Sequence, residues 1–124
     1  PVAGWRWPAS GPVVAGFGDK NSMGQGVDIG GRLGDPVRAA ANGKVVYAGS
    51  GLIGYGKLII IKHNDTFLSA YGHNRTMAVK EGDPVKAGQK IAEMGKTDAD
   101  RVKLHFEIRR QGKPVDPAKF LPAR

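Results

Sequence analysis

The sequence contains no cysteine. A disulfide framework and a thiolate metal site are therefore both excluded, and the redox compartment stays open. No apolar run approaches the roughly 20 residues that a membrane-spanning helix requires, and no signal peptide is present. The abrupt start at Pro1 is what is expected of a domain excised from a longer chain, with any targeting segment or membrane anchor outside these residues.

Acidic residues are in the minority, 11 against 19 basic ones, for a formal charge of +8. That balance favours acidic partners, whether nucleic acid, anionic lipid or an anionic cell-wall polymer. The basic residues are nevertheless never dense: the longest run is Arg109-Arg110, and aromatics make up only 7% of the chain. A nucleic-acid interface, which combines a basic patch with exposed aromatics, is not expected. Imidazole is equally scarce. His63, His73 and His105 are the whole supply, so any metal site must draw on them and on carboxylates.

Glycine is what the sequence has in quantity, 19 residues at short intervals that divide the chain into brief apolar runs. This is the pattern of an all-β fold with tight turns. At 124 residues the chain reads as one domain spanning 1–124, large enough to bury roughly 65–70% of its unfolded surface. "KVVYAG" (44–49), "GKLIIIKH" (56–63) and "FLSAYGH" (67–73) are rich in β-branched or aromatic residues and read as strands. Asn64-Asp65-Thr66 joins the last two as a hairpin. "KLHFEIR" alternates strictly, with Leu104, Phe106 and Ile108 on one face and Lys103, His105, Glu107 and Arg109 on the other. No long amphipathic helix is evident.

"GDPVRAAANGKVV" from Gly34 is echoed by "GDPVKAGQKIAEM" from Gly82. Both read as a turn-then-strand device, in which Pro presets the turn and Val opens the strand. Lipoyl- and biotinyl-carrier barrels use the same device, but no lysine here is marked for their modification.

Geometry separates the histidines. His63 lies at the hairpin turn and His73 at the open end, about six residues or ~20 Å of strand away, which is too far for one coordination sphere. His63 is expected to be a solvated turn residue. His73 closes its strand beside glycine and could line a cleft; His105 lies on the polar face of its strand. Asp28, in "GVDIG", is either a site carboxylate or a turn carboxylate bonding its own backbone.

Taken together, "GVDIGG", "GYGKLIIIKH", "YGHN", "GDPVKAGQKIAEMG" and "LHFEIRRQGKPVDP" resemble, in order and over nearly the whole chain, the LytM-type (M23) zinc endopeptidases that cut cell-wall peptide bridges. The resemblance implies a mainly β fold: a compact antiparallel sheet related to lipoyl-like hybrid barrels, with little helix. In active members a His-x-Gly-x-Asp segment and the second histidine of a His-x-His strand hold zinc. Two further histidines, one ending a Tyr-x-His strand and the first of the His-x-His pair, assist the attacking water. Asp28 and His105 match ligands and His73 matches a catalytic histidine, whereas Gly24 stands where the remaining ligand would be and Lys103 where the other catalytic histidine would be.

Glycine offers no donor, leaving two protein ligands where catalytic zinc ordinarily has three. Lys103, about 7 Å along the strand face from His105, adds a cation beside the place of a dication. Gln25 and Ser22 are not usual zinc ligands. "KTDADRV" (96–102) lacks the Thr-Gly-Ser-Thr-Gly run of active members, and only Asp98 and Asp100 could reach inward.

The resemblance is sharpest to the NlpD-like branch. It implies a metal-free, cofactor-free and non-catalytic protein that activates an N-acetylmuramoyl-L-alanine amidase during bacterial division. It also implies the periplasm of a Gram-negative bacterium, with the full-length protein an outer-membrane lipoprotein. The positions expected to line the partner-binding groove are Asp28, Tyr55, His73, Arg101, Lys103 and His105, with Lys103 a cation facing the groove and able to pair with a partner carboxylate. The alternatives are an active zinc endopeptidase of peptidoglycan and a passive peptidoglycan-binding module.

Overall fold

The computed structural model describes residues 1–124. Ten strands form one sheet system: β1 (Val13–Ala15), β2 (Val27–Gly30), β3 (Pro36–Arg38), β4 (Gly43–Gly49), β5 (Lys57–Lys62), β6 (Phe67–Met77), β7 (Pro84–Val85), β8 (Lys90–Met94), β9 (Lys103–Arg110) and β10 (Lys113–Val115). The helical content is two single 3₁₀ turns, Lys20–Ser22 and Pro117–Lys119. All pairings are antiparallel, and the main path runs β1-β2-β9-β6-β5-β4-β7.

The hairpin between β5 and β6 turns where the sequence predicts, because Asn64 Oδ1 accepts from the amides of Thr66 and Phe67 at 2.9 and 2.8 Å. This is an Asx-type turn. The duplicated Gly-Asp-Pro-Val segments build the same turn twice. Asp35 Oδ2 accepts from the Arg32 amide and Asp83 Oδ2 from the Lys80 amide, each three residues back, at 2.8 and 3.0 Å. The strands that follow then cross over: β3 of the first copy pairs β8 of the second, and β7 of the second pairs β4 of the first.

β6 is longer than the sequence pattern indicates. Its first half pairs β5 and β9, and from Asn74 onward it pairs β8, with a register shift between Asn74 and Thr76. One face of these strands builds the core, where Ile59, Ile61, Tyr71, Phe106 and Ile108 have no solvent exposure. Each such side chain contributes about 1.5–3 kcal/mol through removal from water.

His63 is not the solvated turn residue that its position suggested. The N-terminal segment folds back over the hairpin and sets Trp5 edge-on to the His63 ring at a centroid separation of 5.0 Å. His63 Nδ1 donates to the Asn42 carbonyl (2.6 Å), and Nε2 meets Ser69 Oγ (2.7 Å), which in turn meets the Tyr71 hydroxyl (2.7 Å). The Tyr71 oxygen already accepts from the Ala40 amide. With His63 neutral every hydroxyl hydrogen in the chain finds an acceptor, Tyr71 donating to Ser69 and Ser69 to His63. Burial accordingly lowers the His63 pKa, against a smaller raising effect from the Asn42 carbonyl.

Candidate functional site

β2 lies beside β9 in a register that places Asp28 opposite His105, and β6 lies on the other side with Gly72 opposite His105. Three neighbouring strands thus bring Asp28, His105 and the Tyr-Gly-His segment together. Strict alternation would send His73 to the core side with Tyr71. Instead His73 adopts a left-handed backbone, φ +67°, at the irregularity in β6, and its ring turns to within 6.1 Å of the His105 ring. Asn74 closes this bulge by donating to the carbonyls of Tyr71 (2.8 Å) and Lys57 (3.0 Å). Such a bulge re-aims one side chain without breaking the strand.

The polar face of β9 is not solvated. Lys103, His105 and Glu107 are 9, 0 and 0% exposed, because the segment around the 3₁₀ turn Lys20–Ser22 and the Tyr55 ring fold over it. Lys103 is therefore not a cation turned outward to a partner. Its Nζ forms an ion pair with Asp28 Oδ2 at 2.8 Å and donates to the Asn21 carbonyl at 3.2 Å. A buried ammonium needs a counter-charge, and the nearest one is internal.

His105 bridges two carboxylates: Nδ1 lies 2.8 Å from Asp28 Oδ1 and Nε2 lies 2.6 Å from Glu107 Oε2. Two carboxylate acceptors require two N–H donors, so the ring is an imidazolium. Burial alone would depress its pKa, but the hydrogen bonds to Asp28 and Glu107 raise it above the usual value. For Asp28 burial acts upward, and the His105 and Lys103 contacts overcome it to leave the carboxyl below its usual range. Glu107 is likewise lowered against burial by His105, Tyr55 and Arg109. The Tyr55 hydroxyl donates to Glu107 Oε2 at 2.8 Å, and burial together with that carboxylate pushes its pKa up to about 12. Arg109 completes the chain, Nε donating to Glu107 Oε1 at 2.7 Å.

His73 has the opposite character. Nδ1 donates to the Thr97 carbonyl at 2.7 Å, and burial lowers its pKa, with the charges of His105 and Lys103 adding to the effect. The neutral ring keeps its lone pair on Nε2.

Of the expected groove positions, Asp28, His73 and His105 are thus buried side chains engaged within the chain, Lys103 shows only an edge, Tyr55 is half-buried and Arg101 is exposed. Glu107 and Arg109 are the members of this network that motif reading passed over. Their signal was present, since both share the alternating face of His105. Asp98 and Asp100 are exposed, and Asp100 lines the outer recess with Arg101 rather than joining Asp28 and His105.

The zinc implied by the family resemblance does not fit these residues. An imidazolium has no lone pair for a metal, the Asp28 oxygens are engaged by His105 and Lys103, and an ammonium sits against that carboxylate. Gly24 supplies no donor. Its left-handed backbone (φ +68°) faces open space, with no atom within 4 Å of where a Cβ would lie. Catalytic zinc ordinarily takes three protein ligands, and neither Asp28 nor His105 is available here in ligating form.

A family model described as Peptidase family M23 matches residues 22–117. The chain is 65% identical over 123 residues to a Lipoprotein NlpD/LppB homolog of Pseudomonas aeruginosa, covering 99% of this chain and 41% of that protein. It is 55% identical over 124 residues to the Murein hydrolase activator NlpD of Escherichia coli, covering 100% and 33%. The chain thus spans between a third and about two fifths of the length of these relatives. Among solved structures it is similar to a zinc containing peptidase from Vibrio cholerae, with a TM-score of 0.85 and 28% identity over 98% of this chain and 41% of that one. No helix of the structure is long and apolar enough to cross a membrane.

Proposed function

The chain belongs to peptidase family M23, and from that membership we propose that it is a non-catalytic activator of a periplasmic N-acetylmuramoyl-L-alanine amidase, promoting peptidoglycan hydrolysis at the division site. One observation carries this reading: the Lys103 ammonium stands against Asp28 at 2.8 Å, and the retained His105 is locked between two carboxylates. The peptidase scaffold persists while its metal-binding chemistry is neutralised from within. Relatives matching the whole chain carry the name murein hydrolase activator, which supports the same direction. The lipoprotein names among them support an envelope location, with a lipid anchor outside these residues.

The proposed mechanism is binding without chemistry. The face that serves a peptidase as a substrate groove receives a segment of the amidase that otherwise occludes its active site. Activation requires preferential binding to the open amidase, since equal affinity for both states shifts nothing. Moving that equilibrium from mostly closed to mostly open needs about 5.5 kcal/mol of differential affinity. Tyr55 and Arg101 supply accessible contact, while Asp28, Lys103, His105 and His73 hold the surface in shape.

The test is release of dye-labelled peptidoglycan by a purified amidase with and without this chain. Stimulation by a chain that releases no dye alone supports activation. Dye release by the chain alone, abolished by a chelator, would return the reading to a zinc endopeptidase. The charge of +8 favours a second reading, a passive binder of the anionic wall. It predicts sacculus binding that weakens with salt and leaves the amidase rate unchanged.

A further inference from the structure

Two recesses of opposite character lie along the same face of β9. The first, about 430 Å³, is bounded by Lys20, Asn21, Asp28, Asp100, Arg101 and Lys103. Within it Lys103 and Asp28 neutralise each other. Lys20 and Arg101 are exposed and form no salt bridge, against a single uncommitted acid, Asp100. The recess therefore carries spare positive charge at its mouth.

The second recess, about 350 Å³, has an apolar floor. Leu58, Ile60, Leu68 and Ala70 line it on the side of β5 and β6 away from Ile59, Ile61 and Tyr71, and Leu52 forms its lip. Its polar wall has little capacity left. Glu107 Oε1 is taken by Arg109 and Oε2 by His105 and Tyr55, while the Arg109 nitrogens reach Gln25, Gly112 and Tyr55 as well. Such a compartment accepts an apolar side chain, because a polar one would surrender its water without gaining a partner.

Between the two recesses stands buried His105, covered by Tyr55. From Lys103 to Glu107 and Arg109 the strand advances four to six residues, or about 14–20 Å at ~3.4 Å per residue.

We infer that this face captures one bipartite segment of a partner protein, placing a carboxylate between Lys20 and Arg101 and an aliphatic side chain over Leu58, Ile60 and Leu68. The two groups are set about 14–20 Å apart, which is four to six residues in an extended segment or roughly nine to thirteen in a helix. The inference rests on the activator reading and names the chemistry that the activated amidase presents. Charge complementarity at the first recess calls for a carboxylate, and the apolar second recess selects this occupant over the wall polymer, which offers carboxylates but no large aliphatic side chain.

The experiment measures amidase affinity by calorimetry, and dye release in parallel, for the parent chain and for Leu52→Asp and Arg101→Glu. Both positions are exposed, so melting temperatures should match the parent. Each variant should weaken amidase binding by about tenfold or more. The Arg101→Glu loss should shrink at high salt while the Leu52→Asp loss persists. Photo-crosslinkers at positions 52 and 101 should label one continuous amidase segment, with an acidic residue beside the second site. Parent-like affinity in both variants, while the parent still stimulates, overturns the bipartite capture and leaves the activator reading standing. Crosslinks to unconnected segments overturn it also, as does loss of sacculus binding with unchanged amidase affinity. A parent chain that does not stimulate the amidase overturns both readings.

Discussion

Lys103 Nζ lies 2.8 Å from Asp28 Oδ2, so the carboxylate that the family pattern assigns to a metal is held instead by a cation of the chain itself. The contact also reaches the Asn21 carbonyl, tying the segment around the Lys20–Ser22 turn to β9. Asp28 and His105 are thereby kept by packing and charge, independently of any metal.

Replacing that cation should be costly. Lys103→Glu puts a carboxylate beside Asp28 in a nearly closed site, and removing one partner of such a pair costs about 3–5 kcal/mol. The partial exposure of Lys103 places the expectation at the lower end. Urea denaturation measures it, and a loss below about 0.5 kcal/mol, the range of an ordinary surface change, would show that the ion pair contributes little.

Zinc should leave the parent chain's melting temperature unchanged, as should a chelator. In the double variant Gly24→His, Lys103→His, zinc should raise it, since a ligand present at 100 times its Kd stabilises by about 2.7 kcal/mol. The space around Gly24 is open, although its left-handed backbone makes histidine there strained by roughly 1–2 kcal/mol. A zinc-dependent rise in the parent would contradict the donor assignment of His105.

Stability should fall on acidification through His63. Its folded pKa is lowered from 6.5 by burial, so its contribution is complete above about pH 6.5 and is lost as the pH drops through the folded value. Protonation reverses the Ser69–Tyr71 chain and leaves the Tyr71 hydroxyl hydrogen without an acceptor. Denaturation at pH 7.5 and pH 5 should show a larger loss in the parent than in His63→Gln; equal losses would remove His63 from the account.

Gly56→Ala should destabilise by about 2 kcal/mol. Gly56 has φ +62°, and a Cβ there would lie 2.3 Å from the Thr97 carbonyl oxygen. That carbonyl is the acceptor for His73 Nδ1. Displacing it should shift the His73 ring, which the His73 resonances in proton–nitrogen NMR would report; unmoved resonances would argue against the coupling.

The strands that frame the site were legible because runs such as Leu58–Ile61 and Leu104–Ile108 encode burial through their own composition. The two Gly-Asp-Pro-Val turns were legible because proline and a local carboxylate specify them within four residues. His73 was misplaced at a strand end, since nothing in "AYGH" announces a left-handed residue inside a longer strand. Asn74, which closes that bulge, acts on carbonyls three and seventeen residues away.

Sequence alone thus sufficed for the β architecture and the family, because each depends on residue identity or short-range pattern. It could not show that the polar face of β9 is covered, nor that Lys103 answers Asp28 rather than a partner. Those outcomes depend on the desolvation of charges brought together from positions 21, 28, 103, 105 and 107, and a buried charge takes its partner from whatever the fold sets within reach.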